Sequence, residues 1–497
     1  MPHHILIIGA GPGGLATAMR LAAQGHRVDV YEAEHTVGGR MRGFSDGDYH
    51  FDTGPTILQV PRVYDELFAA CGLRREDYVE FLRVSPNTRI RFWDNTHLDL
   101  TSDTADFKRQ LAAIRPDLPA AFDRWYTDHI AKNRAGYGPY LGSPVRPPLG
   151  YLRPAELAAA MPFRPWETLY DHYWRYFREE RVAYALAYQA KYLGMHPRHC
   201  SSIFSLVTWL EFAEGIWHPK GGFRALAQAL ARAASDLGVQ FHMGKPVRTT
   251  IVENGVAKGI ELESGARVLA DAVVINADFG YGMRTLVPPE ARGSYTEGRM
   301  RRLSFSCSTF MMYLGVDKRY DDLPHHQLYL SSNLRRSEHA YASDAVLDET
   351  APSFYVCNPS ILDPSSAPEG HSTLFVLVPV PNTSHPIDWE AKRQSYRDLI
   401  ISRLGTLGYT DVADHIVSER VYTAETWRDD YRVHLGAVFN LTHGWGQLGP
   451  LRPHIRSDGA RNLYWIGGAV HPGSGLMTIL EAAKSATHFI GSDLGAA

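Results

Sequence analysis

His4-Ile5-Leu6-Ile7-Ile8-Gly9-Ala10-Gly11-Pro12-Gly13-Gly14, continuing through Leu15–Gln24 to Val28-Asp29-Val30-Tyr31-Glu32, is the stretch that decides the fold. The opening run is short, apolar and rich in β-branched residues, as a strand buried on both faces of a parallel sheet requires. Leu15–Gln24 carries small and apolar residues at helical spacing and stops at Gly25, a natural C-cap. Val28–Tyr31 is the next strand, and Glu32 ends it about 20 residues beyond the glycines. In this context each glycine has a task. Gly9 permits the tight turn, Gly11 lets a pyrophosphate approach the backbone, and Gly14 lets helix and strand pack closely. The helix N-terminus stabilises phosphate charge and Glu32 accepts from ribose hydroxyls. A dinucleotide-binding βαβ unit is therefore expected, with NAD and FAD both still open.

Outward from this unit come Val37-Gly38-Gly39-Arg40 and Phe51-Asp52-Thr53-Gly54-Pro55-Thr56. Gly38 and Gly39 would let the chain pass close to a phosphate, with Arg40 supplying positive charge. From about Thr101 to His199 helical patterns rich in Trp, Tyr and Phe dominate, broken by Pro144, Pro147, Pro148 and Pro154. Gly238–Asn276 switches to period two, with turns at Glu253-Asn254-Gly255 and Ser264-Gly265. It reads as a small meander closing with Ala272–Ile275. Strands are expected around Thr309–Val316, Ser353–Cys357 and Thr373–Val380, with a helix near Trp389–Leu407. At the far end the strand Leu463–Ile466 runs through Gly467-Gly468 and His471-Pro472-Gly473-Ser474-Gly475 into a helix from Met477. Such a helix start offers unsatisfied N–H groups and a positive dipole end.

Composition sets bounds. With 497 residues, 44% hydrophobic and 21% charged, the chain is an ordinary globular protein long enough for several domains. A net charge of -3 gives no electrostatic footprint for nucleic acid. Cys71, Cys200, Cys307 and Cys357 form no CxxC pair and read as reduced thiols of a cytoplasmic protein. No run approaches the about 20 apolar residues that span a bilayer. No metal is expected: adjacent strand residues such as His325 and His326 point to opposite faces.

Taken in order, these motifs resemble the amine-oxidase-like flavoprotein superfamily and, within it, the bacterial-type carotenoid (phytoene and dehydrosqualene) desaturases. Gly9–Arg40, Phe51–Thr56, Gly215-Ile216-Trp217-His218-Pro219-Lys220-Gly221-Gly222 and Asn462–Gly475 carry the resemblance, which runs over essentially the whole chain. Ser306–Phe310 and Leu377–Val380 are also similar. The resemblance implies an α/β architecture: a Rossmann-like FAD-binding domain (1–95, 215–295 and 436–497), an inserted α+β substrate domain (296–435) and a helical substrate or membrane region (96–214). It implies FAD as cofactor. Gly468, Gly475, Leu476 and Met477 would line the flavin's pyrimidine edge, where the helix start can meet negative charge. Val247 matches the position whose backbone holds the adenine, with core packing the competing role.

The implied reaction is desaturation of a long apolar isoprenoid, phytoene or 4,4'-diapophytoene. The cofactor takes the hydride while the protein positions the chain and excludes water. Related isomerase, oxidase or late-pathway desaturase activities, and amine oxidation, stay open as alternatives. Trp217 and Tyr313 are candidates for the lipid tunnel, with core packing equally open to them. No general base is assigned, because the acidic residue that follows an arginine in relatives is here Pro154 after Arg153. Trp166, Tyr170, Tyr173, Trp174, Tyr176 and Phe177 lie among Arg164, Arg175, Arg178 and Arg181. That mixture suits a membrane interface or a packed helix with a solvated basic face. Oxygen or a quinone is the expected electron acceptor, and the cytoplasm the expected location, with peripheral binding to the inner membrane face open.

Overall fold

The computed structural model describes residues 2–137, 161–332 and 346–495. Pro144, Pro147, Pro148, Arg153 and Pro154 lie outside them. Two sheets organise the chain. The first has five parallel strands in the order Gln240–His242, Arg27–Tyr31, His4–Ile8, Ala272–Ile275, Leu463–Trp465. Its central strands are buried on both faces, as their unbroken apolar runs require. Helix Pro12–Ala23 packs between the C-terminal helix Leu476–Gly495 and helix Gly222–Asp236.

One strand assignment changes. Ala272–Ile275 does not close the meander; it pairs with His4–Ile8 in the parallel sheet, Ile5 opposite Ala272. All four of its residues have no exposure, which a meander edge could not provide. The meander itself is Val247–Glu253, Val256–Leu262 and Arg267–Leu269. Its first turn has Asn254 at φ 51° and Gly255 at φ 70°, the positive pair a two-residue hairpin demands.

The second sheet has seven strands: Ile416–Tyr422, Ser308–Val316, Ser372–Val380, Phe354–Cys357, His326–Leu330, Thr88–Phe92, His97–Leu100. The hairpin Thr88–Leu100 crosses the expected boundary at 95/96 and extends this sheet by parallel pairing with His326–Leu330. Register rather than chain order decides where it belongs. Helices Leu118–Tyr137, Leu169–Phe177 and Ser205–Glu214 form a further layer. Tyr170, Tyr173 and Phe177 are core residues here, packed among such side chains as Trp125 and Phe163. Arg175 pairs with Glu167, and Arg181 with Asp94 and Glu179. Of the aromatic set proposed for an interface, Trp166 is the one that is strongly exposed, at 58%. Among the described residues no helix is long and apolar enough to cross a membrane.

Candidate active site

Between the two sheets lies a cavity of about 440 Å³ with two chemically different ends. The polar end is made by turns. Gly9 sits at φ 99°, and a Cβ there would stand 2.8 Å from the Asn276 carbonyl. At Gly11 it would meet Asn276 Nδ2 at 2.9 Å. Gly14 does not line the cavity; a Cβ there would lie 2.3 Å from the Gly9 carbonyl, so glycine alone permits this contact between helix and turn. Glu32 is buried on the wall. Its carboxylate accepts from Ala10 N at 2.7 Å and Glu34 N at 3.0 Å, which aims the group across the turn. Val247 also lines this end.

Further along, Gly39, Arg40, Gly54, Pro55 and Thr56 form one wall and Gly468, Gly475 and Leu476 another. Gly38, at φ 113°, lies behind the wall and turns the chain toward Gly39. Arg40 donates to the Val438 carbonyl at 2.6 Å and to Asn440 Oδ1 at 2.9 Å, tying the N-terminal segment to a loop about 400 residues away. The helices Pro12–Ala23 and Leu476–Gly495 both begin at the cavity, so their free N–H groups face it.

Three expectations change. Met477 turns into the hydrophobic core and does not line the cavity. Trp217 packs beside Arg83 and donates to the Glu214 carbonyl at 3.2 Å, away from the cavity. Tyr313 follows Thr309 and Met311 on the same strand face, but Phe44 and Phe51 cover it, and its hydroxyl donates to the Thr53 carbonyl at 2.6 Å. A fourth concerns His325 and His326. His325 precedes the strand, so alternation does not apply, and the two rings meet at 4.3 Å between centroids. With Cys357 they bring ligand atoms within 4.8 Å of one another, all buried.

The apolar end takes much of its wall from the second sheet, including Met311, Leu328, Tyr355, Phe375 and Leu377. Four polar residues that sequence reasoning missed also line it: Gln59, Tyr188, Lys191 and Tyr192. Burial pushes the Lys191 ammonium down to about 8. Behind Gln59 and Tyr192 lies Glu211, 2% exposed, which burial pushes up to about 7. Asn276 was missed as well; it follows an apolar strand and donates to the Gly9 carbonyl at 3.1 Å. An asparagine directly after such a strand is the one signal that pointed to it.

The polar end fits the diphosphate and ribose of a dinucleotide: glycines that no Cβ could replace, an inward carboxylate and two helix starts. The apolar end fits a long hydrocarbon.

The sequence matches the flavin containing amine oxidoreductase family over residues 12–487. It is 47% identical to an all-trans-zeta-carotene desaturase of Myxococcus xanthus, over 99% of this chain and 94% of that protein. It is 37% identical to a 4,4'-diapophytoene desaturase of a Methylomonas species, over 98% and 95%. A zeta-carotene-forming phytoene desaturase of Myxococcus xanthus is 35% identical, over 97% and 93%. Among solved structures, an oxidoreductase from Methanosarcina mazei has the same fold, with TM-score 0.65 at 17% identity, covering 98% of this chain and 100% of that one. This chain therefore belongs to the flavin containing amine oxidoreductases and, within them, to the carotenoid desaturases.

Proposed function

We propose that this FAD-dependent desaturase acts on a partly desaturated carotenoid of the zeta-carotene type. The observation that carries this reading is a contrast between two relatives from one organism. Identity is 47% to the Myxococcus xanthus zeta-carotene desaturase but 35% to its phytoene desaturase. A late-pathway substrate is thus favoured over phytoene or 4,4'-diapophytoene.

Bound FAD supplies the hydride acceptor. Around it, Gly9, Gly11 and the start of helix Pro12–Ala23 bind the diphosphate, and Glu32 accepts from the ribose. Val247 would lie against the adenine, and Gly39, Arg40, Gly54, Pro55 and Thr56 would hold the ribityl side. Gly468, Gly475 and Leu476 would offer N–H groups to the flavin's pyrimidine edge and so favour negative charge there. Gly14 and Gly38 shape the backbone behind these contacts. Met311, Phe375 and Leu377 position the polyene and keep water away. Segments 1–95, 215–295 and 436–497 serve the cofactor, with 296–435 and 96–214 serving the substrate, except that Gln59 and the hairpin Thr88–Leu100 sit on the substrate side.

Quinone or oxygen reoxidises the flavin. The enzyme takes its substrate at a membrane surface, with Met161 and Trp166, 54% and 58% exposed, as the apolar contacts. Flotation with liposomes tests that contact: wild type rises with the vesicles and Trp166→Ala does not. If both stay at the bottom, membrane docking is wrong.

The substrate test is anaerobic mixing with zeta-carotene, phytoene or 4,4'-diapophytoene in liposomes. Zeta-carotene should bleach the oxidised flavin once, giving about one new double bond per flavin, without NAD(P). Faster bleaching by phytoene would return the enzyme to the early pathway.

A further inference from the structure

Glu211 is a carboxyl without a cation. It lies in helix Ser205–Glu214 with no exposed route of its own to solvent, and no arginine, lysine or histidine forms an ion pair with it among the described residues. Its two oxygens instead accept from amides, Gln59 Nε2 at 2.6 Å and Gln189 Nε2 at 2.8 Å, while the Tyr192 phenol stands beside the carboxyl and interacts with it electrostatically. Two separate chain segments, Leu58–Gln59 and Tyr188–Leu193, therefore spend their polar groups on holding one buried acid. Gln59 and Tyr192 stand on the apolar cavity wall, and Glu211 lies directly behind them. Tyr192 Oη also bonds to Tyr188 Oη, which reaches Thr88 Oγ1 at 3.0 Å. The tyrosine is thus fixed between the cavity and the carboxyl.

A purely structural carboxyl would be an expensive choice here, since a buried acid costs free energy that an apolar side chain would avoid. Amide and phenol donors stabilise the ionised form without locking it as a salt bridge would, so the group keeps both protonation states within reach. Burial raises its pKa to about 7, where general acid–base groups work best.

We propose that Tyr192 and Glu211 remove the proton that desaturation releases, with Tyr192 touching the substrate and Glu211 as the proton's store. This rests on the desaturase reading above. One hydrogen leaves the polyene as a hydride, with its electron pair, to FAD. The C–H bond on the neighbouring carbon then breaks, and its electrons become the new double bond. Its proton joins Tyr192 Oη while the phenolic proton already there moves to a Glu211 carboxylate oxygen. An allylic cation is so strong an acid that a phenol oxygen suffices to accept from it. Glu211 makes the transfer one-way. Gln59 and Gln189 are positioning residues that hold the carboxylate in reach.

The test combines two readouts. Infrared difference spectra of the FAD-loaded protein without substrate, titrated across neutral pH, should show a protonated-carboxyl band with a midpoint near 7 that Glu211→Gln abolishes. Single-turnover flavin bleaching by polyene should accelerate in wild type as pH rises through that midpoint. In Glu211→Gln it should fall by about 100-fold or more and lose the pH dependence, with Tyr192→Phe slowed and Glu211→Asp partly restored. FAD content and melting temperature of each variant report folding. A carboxyl that titrates in the ordinary acidic range overturns the proposal even if no polyene tried is a substrate. So does wild-type bleaching with a wild-type pH profile in Glu211→Gln. Bleaching absent from wild type with every polyene would instead sink the substrate assignment.

Discussion

The two ends of the cavity are built by opposite means. At the cofactor end tight turns do most of the work: Gly9, Gly11 and Gly14 lie within six residues of one another, the space at Gly9 and Gly14 set first by main-chain atoms and that at Gly11 by the Asn276 amide. At the substrate end side chains do it, from Gln59, Tyr192, Met311 and Leu377, which come from four distant segments. A backbone site tolerates almost no substitution at its turns, because a Cβ either fits or collides. A side-chain site can be resized one residue at a time.

The contrast can be broken from either side. The largest effect is expected at Gly14→Val. Its Cβ would fall 2.3 Å from the Gly9 carbonyl, and neither the helix nor the turn can yield without opening the parallel sheet. Such a variant should be recovered aggregated or without flavin, measured by soluble yield and absorbance of bound FAD. A yellow, normally melting Gly14→Val protein would show that the cradle is softer than its spacing implies.

Glu32→Ala should fold, because its carboxylate bonds only the Ala10 and Glu34 N–H groups of the neighbouring turns and takes no part in the strand pairing. Losing a charged hydrogen-bond partner costs about 1.5–3 kcal/mol, so FAD affinity should drop roughly 10- to 150-fold. Equilibrium dialysis or flavin fluorescence checks this, and unchanged affinity would remove Glu32 from the site.

At the other end, Met311→Phe should leave FAD affinity alone. Narrowing the hydrocarbon wall should raise KM several-fold for the longer polyene relative to the shorter one, measured with zeta-carotene against a 4,4'-diapocarotenoid. A matching loss of flavin would mean that the two ends are not separable.

Tyr313→Phe is the smallest change. Removing the hydrogen bond to the Thr53 carbonyl should lower stability by about 1 kcal/mol and leave kcat unaltered. A large fall in kcat would put Tyr313 back in the substrate path.

Much of the cofactor end was legible without coordinates. Gly9 to Glu32 encode strand, turn, helix and acid at fixed spacing, and the helix start at Gly475 follows a short strand in the same way. Local rules govern these features: backbone sterics, helix ends and the alternation of buried strands. They act over a few residues, so chain order reveals them. Met477 shows where locality ends, since a helix beginning at Leu476 aims its second residue by packing against the core.

The amino-acid sequence by itself determined the dinucleotide fold, the family and the cofactor class. Only the tertiary structure decided which side chains meet the substrate. Trp217 and Tyr313 were as plausible in the sequence as Gln59 and Tyr192, yet strand pairing and aromatic cover put the first two outside the cavity. Glu211 was one acid among many until Gln59, Gln189 and Tyr192 closed around it. The physical reason is the same in each case. Burial and hydrogen bonding between separate elements, 22 to 152 residues apart around Glu211, depend on how whole sheets and helices pack, and no local spacing encodes that.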